Sequence, residues 1–177
     1  MQNTKWVIDP MHSEVHFKIK HLVISTVTGA FKKFEGDVTT AGNGFENGQV
    51  NFSIDVKSID TNQQYRDTHL KSEDFFDTEK YPTIHFSSTD FKKVDDENYT
   101  LLGNLTMKDV TKPVELAVEY GGTEKDENGN KKHGFEISGN INRKEFGLTY
   151  NSLTETGGLA LGENVKLIAN IQVAQQN

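Results

Sequence analysis

The residues best suited to chemistry in this chain are histidines and arginines, and they fall in three places. His12, His16 and His21 lie close together near the N-terminus, as metal-ligating histidines often do. The stretch Ser13 to His21 alternates apolar and polar residues, however, so successive side chains point to opposite faces and His16 turns away from His21. Convergence on one metal ion is not expected. His21 shares its parity with Val15, Phe17 and Ile19, which places it on the inward, apolar face. There it is either satisfied by a carbonyl or neighbouring side chain, or it touches a ligand. The second place is Arg66-Asp67-Thr68-His69, followed by Lys71. Asp67 and His69 are two members of a hydrolase triad, but no serine stands at a telling distance. No Gly-x-Ser-x-Gly elbow, phosphate loop or dinucleotide fingerprint occurs. These cations suit recognition better than catalysis: a phosphate or another acceptor-bearing group is one partner, and Asp67, Asp74 or Asp77 is the other. The third place is Arg143, which opens a long loop and has the same two options, a bound group or a structural carboxylate.

The elements that must position these residues are mostly strands. Arg66 and His69 sit in Ser58 to Pro82, the one long stretch whose pattern is helical rather than alternating. Thr61 and Gln64 have the form of a capping box. Tyr65 and His69 fall one turn apart on one face. Ser72, followed by Glu73 and Asp74, gives a second helix start, and Pro82 closes the segment. A short helical insert over about 61–77 is therefore predicted. Around it the chain alternates with period two. Strand one carries Val15, Phe17 and Ile19 inward. Strand two, about Val27 to Thr39, changes parity between Phe31 and Phe34, so a bulge is expected near Lys32–Lys33. Thr40 to Gly48 is turn chemistry. Strand three puts Val50, Phe52, Ile54 and Val56 inward, and strand four, beyond the insert, puts Ile84 and Phe86 there. Strand five presents Tyr99, Leu101, Gly103 and Leu105. A tight turn over Lys108 to Lys112 leads to strand six, with Val114, Leu116, Val118 and Tyr120. Strand seven has Phe135, Ile137, Gly139 and Ile141. A long loop, Arg143 to Glu163, carries Phe146, Leu148, Tyr150 and four glycines. Strand eight alternates from Val165 through Leu167 to Val173.

About eight strands joined by hairpin-length turns, without a βαβ rhythm or repeat, predict an all-β fold. Residues 1–177 form one domain, and the sheet avoids exposed edges best by closing strand one on strand eight into an antiparallel barrel. The insert, between strands three and four, then lies across one end, with Phe75 and Phe76 plugging that end or lining its mouth. Barrels of about eight strands are either filled or hold one small ligand. The inward set mixes large side chains with Gly29, Gly36, Gly103, Gly139 and Ala169. That mixture suits an open lumen and a tapering filled interior equally.

The chain carries W-x-I-D-P-x-H-S-x-V-x-F at Trp6 to Phe17, G-x-F-x-x-F-x-G at Gly29 to Gly36, and T-N-x-x-x-R-D-x-H-L-K-S-x-D-F-F-D at Thr61 to Asp77. G-N-L-T at Gly103, K-P-V at Lys112, I-N-R-x-x-F-G at Ile141 and L-G-x-x-V at Leu161 follow. In these motifs and their order the chain resembles the YceI-like family of bacterial lipid-binding proteins. Asp109 stands where the family commonly has Gly. The resemblance implies a lipocalin-like barrel with an elongated apolar pocket for polyisoprenoids and other long-chain amphiphiles, and it favours the open lumen. Alternation and likeness together select Phe17, Ile19, Phe31, Phe52, Ile54, Phe75, Phe76, Phe86, Leu105, Leu116, Phe135, Ile137, Phe146 and Leu167 as the pocket wall. His21, Arg66, His69 and Arg143 are the polar candidates, the cations for a phosphate or quinone head group. No catalytic residue, metal or cofactor is implied; an isoprenoid lipid is the expected guest, held for carriage, storage or sequestration. A filled barrel serving stress response or interaction, and an enzyme acting on a lipid head group, are the alternatives.

Composition narrows the partners. A net charge of −7 and the lack of a basic stripe speak against nucleic acid. No apolar run approaches the ~20 residues of a membrane helix, so stable insertion is not expected. Cysteine is absent, which removes disulfides and thiolate metal sites. The first residues lack the apolar core of an export signal, so a cytoplasmic location is expected, or a periplasmic one if a leader was removed. Inward parity says nothing of the outer wall, and a homodimer stays open.

Overall fold

In a computed structural model, residues 3–21, 25–42, 44–151 and 161–176 are described. Among these residues eleven strands run in chain order: β1 (Asn3–Ile8), β2 (Glu14–His21), β3 (Ser25–Phe31), β4 (Phe34–Ala41), β5 (Gln49–Asp55), β6 (Ile59–Asp60), β7 (Thr83–Lys93), β8 (Asn98–Met107), β9 (Val110–Lys125), β10 (Lys131–Asn142) and β11 (Leu161–Gln175). They form one antiparallel sheet that closes on itself where β1 pairs with β11. β1 and β2 lie end to end along one edge of β11, from Trp6 opposite Gln175 to His21 opposite Leu161. β3 and β4 repeat this arrangement against β2 and β1, and β6 extends the line of β5 against β3. Three staves are thus broken and five are continuous, giving an eight-staved barrel.

The breaks are where the structure corrects the expected strands. Strand two is not one bulged strand: it stops at Phe31 and restarts at Phe34, and each half has its own partners. The Lys32 amide donates to the Ser58 carbonyl (3.2 Å) and the Asp55 amide to that of Lys33 (3.0 Å). The parity change at this point is therefore made by a corner. The first strand, β1, is short and was not expected. Asp9 ends it by accepting from the Met11 amide (3.1 Å), and Pro10–His12 makes a single 3-10 turn before β2. The β8–β9 hairpin is tighter than predicted. Lys108 and Asp109, with φ of 50° and 65°, form a two-residue turn in which Asp109 holds the left-handed conformation as expected.

The insert is less helical than its pattern suggests. The one α-helix among the described residues, α1, spans Gln64–Leu70 and has no side-chain cap. The capping box fails because a carboxylate outcompetes an amide. Asp67 accepts from both the Thr61 amide (2.9 Å) and its hydroxyl (2.6 Å). No second helix starts at Ser72. Its hydroxyl donates back to the His69 carbonyl (2.6 Å), and the chain continues in turns through Phe75 and Phe76. Tyr65 and His69 part company: Tyr65 is 84% exposed, whereas His69 turns inward.

Candidate functional site

The barrel encloses a cavity of about 440 Å³ with an almost wholly apolar wall. Every sequence-predicted pocket residue lines it except Phe146. Phe146 is 1% exposed and sits in the 3-10 turn Arg143–Phe146, so it is core beneath the loop and not wall. The inward glycines explain how so many phenyl groups leave space. A Cβ at Gly29 would lie 2.3 Å from Phe17 Cζ, and one at Gly103 would lie 2.4 Å from Phe86 Cζ. Each ring tip rests on a neighbouring strand's bare backbone and so lies along the wall. The glycines open the lumen by seating rings, not by leaving gaps.

One end is sealed by aromatic packing. Phe45, carried on the loop after β4, stands 5.5 Å from Trp6, 5.0 Å from His133 and 4.9 Å from Phe135, centroid to centroid. The Asn47 amide pins that loop to the Phe91 carbonyl (2.8 Å). Polar atoms here satisfy one another: Tyr120 Oη and His133 Nδ1 are 2.7 Å apart, and Trp6 Nε1 donates to Thr40 Oγ1 (3.1 Å). Burial, with Lys131 adding to it, holds the His133 pKa below its ordinary value.

The other end is covered by the insert and the stretch after β10. The His69 ring stacks edge-on against Phe75 (5.1 Å) and Tyr150 (5.0 Å), and its Nε2 meets Asp74 Oδ2 at 2.8 Å. Phe76 stands edge-on to Phe31 (6.2 Å). Arg66 reaches the cavity, but its Nε and Nη2 donate to the hydroxyl and carbonyl of Thr61, both at 2.7 Å. Lys71 does not line the cavity. His21 does, at the end of β2, without a ring hydrogen bond to any described residue. Arg143 is 3% exposed and lines the cavity. Its Nε donates to the Gly162 carbonyl (2.8 Å), and its Nη1 donates to the carbonyls of Leu148 and, at 3.0 Å, Tyr150. The structural carboxylate pair proposed for it is not formed among the described residues; Glu163 pairs with Lys144 instead (2.9 Å). Burial lowers the Arg143 pKa.

The tempting constellations come apart. His12 bonds to Asp9 (2.7 Å) and His16 to Glu14 (3.1 Å), so the three N-terminal histidines have separate surroundings. Among the described residues no three potential ligands cluster as a metal would require. Asp67 serves Thr61 and not His69, and no hydroxyl bonds to the His69 ring among those residues.

Sequence reasoning missed several wall residues. Phe45 lies in a stretch read as pure turn; a lone phenylalanine among Gly, Asn and Glu was the available signal. Phe91 escapes the parity of strand four because the β7–β8 register shifts between Ser88 and Asp90. Tyr150 lies in the long loop, whose residues 152–160, with Gly157 and Gly158, fall outside the described residues.

A closed antiparallel barrel around an apolar chamber, with cations gathered at one end, defines a small-ligand-binding barrel. The comparisons agree in fold: the chain belongs to the YceI-like domain family, whose model matches residues 6–173. The UPF0312 protein SERP2314 of Staphylococcus epidermidis is 38% identical over 175 residues, covering 98% of this chain and 99% of that one. The Campylobacter jejuni YCEI protein superposes with a TM-score of 0.76 at 33% identity, covering 90% of this chain and 91% of that one. A polyisoprenoid binding domain from Saccharophagus degradans, 13% identical, superposes with a TM-score of 0.69 over 97% of this chain and 98% of that one; at that identity the likeness is one of fold.

Proposed function

We propose that this barrel binds a long-chain amphiphile, such as a polyisoprenoid phosphate, an isoprenoid quinone or a similar lipid, and carries, stores or sequesters it. The observation that carries this reading is the cavity of about 440 Å³, within the roughly 300–1,000 Å³ of small-molecule sites, with a wall that offers a guest almost nothing but hydrocarbon. Burying each methylene contributes about 0.8 kcal/mol, so about ten of them supply about 8 kcal/mol before the cost of association. Association costs roughly 4–15 kcal/mol, so ten methylenes about break even and each further one adds affinity. The Saccharophagus degradans neighbour, described as polyisoprenoid binding, supports the same class of guest. The guest enters at the insert end, since the opposite end is packed shut around Phe45. A filled interaction module does not suit a chamber of this size. An enzyme acting on a head group finds little support: Asp74 holds the His69 ring, but no hydroxyl nucleophile bonds to that ring among the described residues.

Gentle purification, organic extraction and mass spectrometry test the proposal. A long-chain lipid recovered in near-stoichiometric amount is the expected result. Recovery of none, together with no uptake of added polyprenyl phosphate or quinone, would overturn it.

A further inference from the structure

Arg143, which lines the cavity, carries the one buried side-chain polar atom among the described residues that has no hydrogen-bond partner: Nη2, on a residue only 3% exposed. Such groups are rare, because an unpartnered buried donor loses its water and gains nothing in return. The charge is as unusual as the donor. Nε and Nη1 are held by the carbonyls of Gly162, Leu148 and Tyr150, which are neutral, and among the described residues no carboxylate lies within salt-bridge distance of it. Glu163 acts on it only from beyond salt-bridge distance and is itself paired with Lys144, so the buried charge is only partly countered. The other cations at this end differ. Arg66 is half-buried and bonds twice to Thr61, and His69 bonds to Asp74.

We propose that Arg143 Nη2 receives an anionic oxygen of the guest, so that the barrel selects amphiphiles ending in a phosphate ester or a carboxylate over those ending in a neutral alcohol. This rests on the lipid-binding reading and gives it a polarity: the head lies against Arg143 below the insert, and the tail runs toward Phe45 and Phe135. Two features make the position workable. The carbonyls on Nη1 hold the guanidinium plane fixed, so its remaining edge is preorganised for an oxygen. The backbone clasped to it, Leu148 to Tyr150, is irregular and outside the sheet, so a small shift there uncovers Nη2 without breaking a ladder.

The test compares matched tails on the full chain: geranylgeranyl phosphate against geranylgeraniol, and palmitate against hexadecanol. Each is read by displacement of a fluorescent apolar probe, with inorganic phosphate as the head-only control. A charge-assisted bond predicts that at least one anion binds roughly tenfold to a hundredfold more tightly than its alcohol. The better of the two anions identifies the head group. In Arg143→Gln the ratio of anion to alcohol affinity falls towards one, whatever the absolute affinities; in Arg66→Gln the ratio is retained. Equal binding of anions and alcohols by the unaltered protein overturns the inference and leaves tail binding standing, and this comparison does not depend on a variant folding. A preference that vanishes in Arg66→Gln instead overturns it as well. Failure of all four compounds to displace the probe would remove the lipid-binding reading itself.

Discussion

The two ends of the barrel are built from the same kinds of residue and do opposite things with them. At the far end a histidine, a tyrosine and a tryptophan bond to one another or to Thr40 within packed phenyl rings. At the insert end two histidines, a tyrosine and two arginines face the cavity, over turns and a seven-residue helix. Polar groups that satisfy one another close a barrel. Polar groups held by backbone, with valence left over, keep it addressable. Composition cannot distinguish these uses, because what differs is whether the partner lies inside or outside the set.

The largest expected break in this contrast is at Phe45. Truncation of a fully packed phenyl costs about 3–5 kcal/mol, so Phe45→Ala should sharply lower the urea midpoint. Phe76→Ala, at a half-buried position under the insert, should cost clearly less stability while weakening lipid uptake. Equal losses of stability would erase the distinction between the ends. Next comes the wall that joins them. Gly29→Val places a side chain where the Phe17 ring rests, which should cost about 1–3 kcal/mol and push that ring into the lumen. Lipid capacity should fall with it, and unchanged capacity would show that the glycines do not set the opening.

A smaller effect separates the ends by pH. His133 is held neutral in the fold, with a pKa below its unfolded value. The unfolded chain therefore binds more protons in the window between the two values. Stability from this group is complete above about 6.5 and declines as pH falls through the folded value. Melting temperatures taken from pH 7.5 down to 5.5 should show a shallow decline that is reduced in His133→Gln. The smallest effect belongs to Tyr65. Its ring is 84% exposed, so Tyr65→Ala should change stability by no more than about 0.5 kcal/mol. A larger loss would mean that the helix face carries more than its exposure suggests.

Alternation made most of the wall legible. Phe17, Phe52, Phe86, Leu105 and Leu167 could be placed because period two is a local property of the backbone. What stayed hidden depends on contacts between distant segments. The corner at Lys32–Lys33 is held by Ser58 and Asp55, which no local pattern can announce. The capping box looked sound until Asp67 offered Thr61 a stronger acceptor. Arg143 was recognisable as a candidate, but its partners are main-chain carbonyls, and carbonyls leave no trace in residue identity.

The broken staves have a mechanical consequence. β7 through β11 are long strands that run the length of the barrel, bulged but unbroken, whereas β1 through β6 meet at joints near Pro10, Lys32 and Val56. A tube that is stiff along one flank and articulated along the other does not dilate evenly. A bulky occupant would swell it on the articulated flank. Amide exchange should then be slowest in β8 to β10 and quickest around β6, and loading should retard the second group far more than the first.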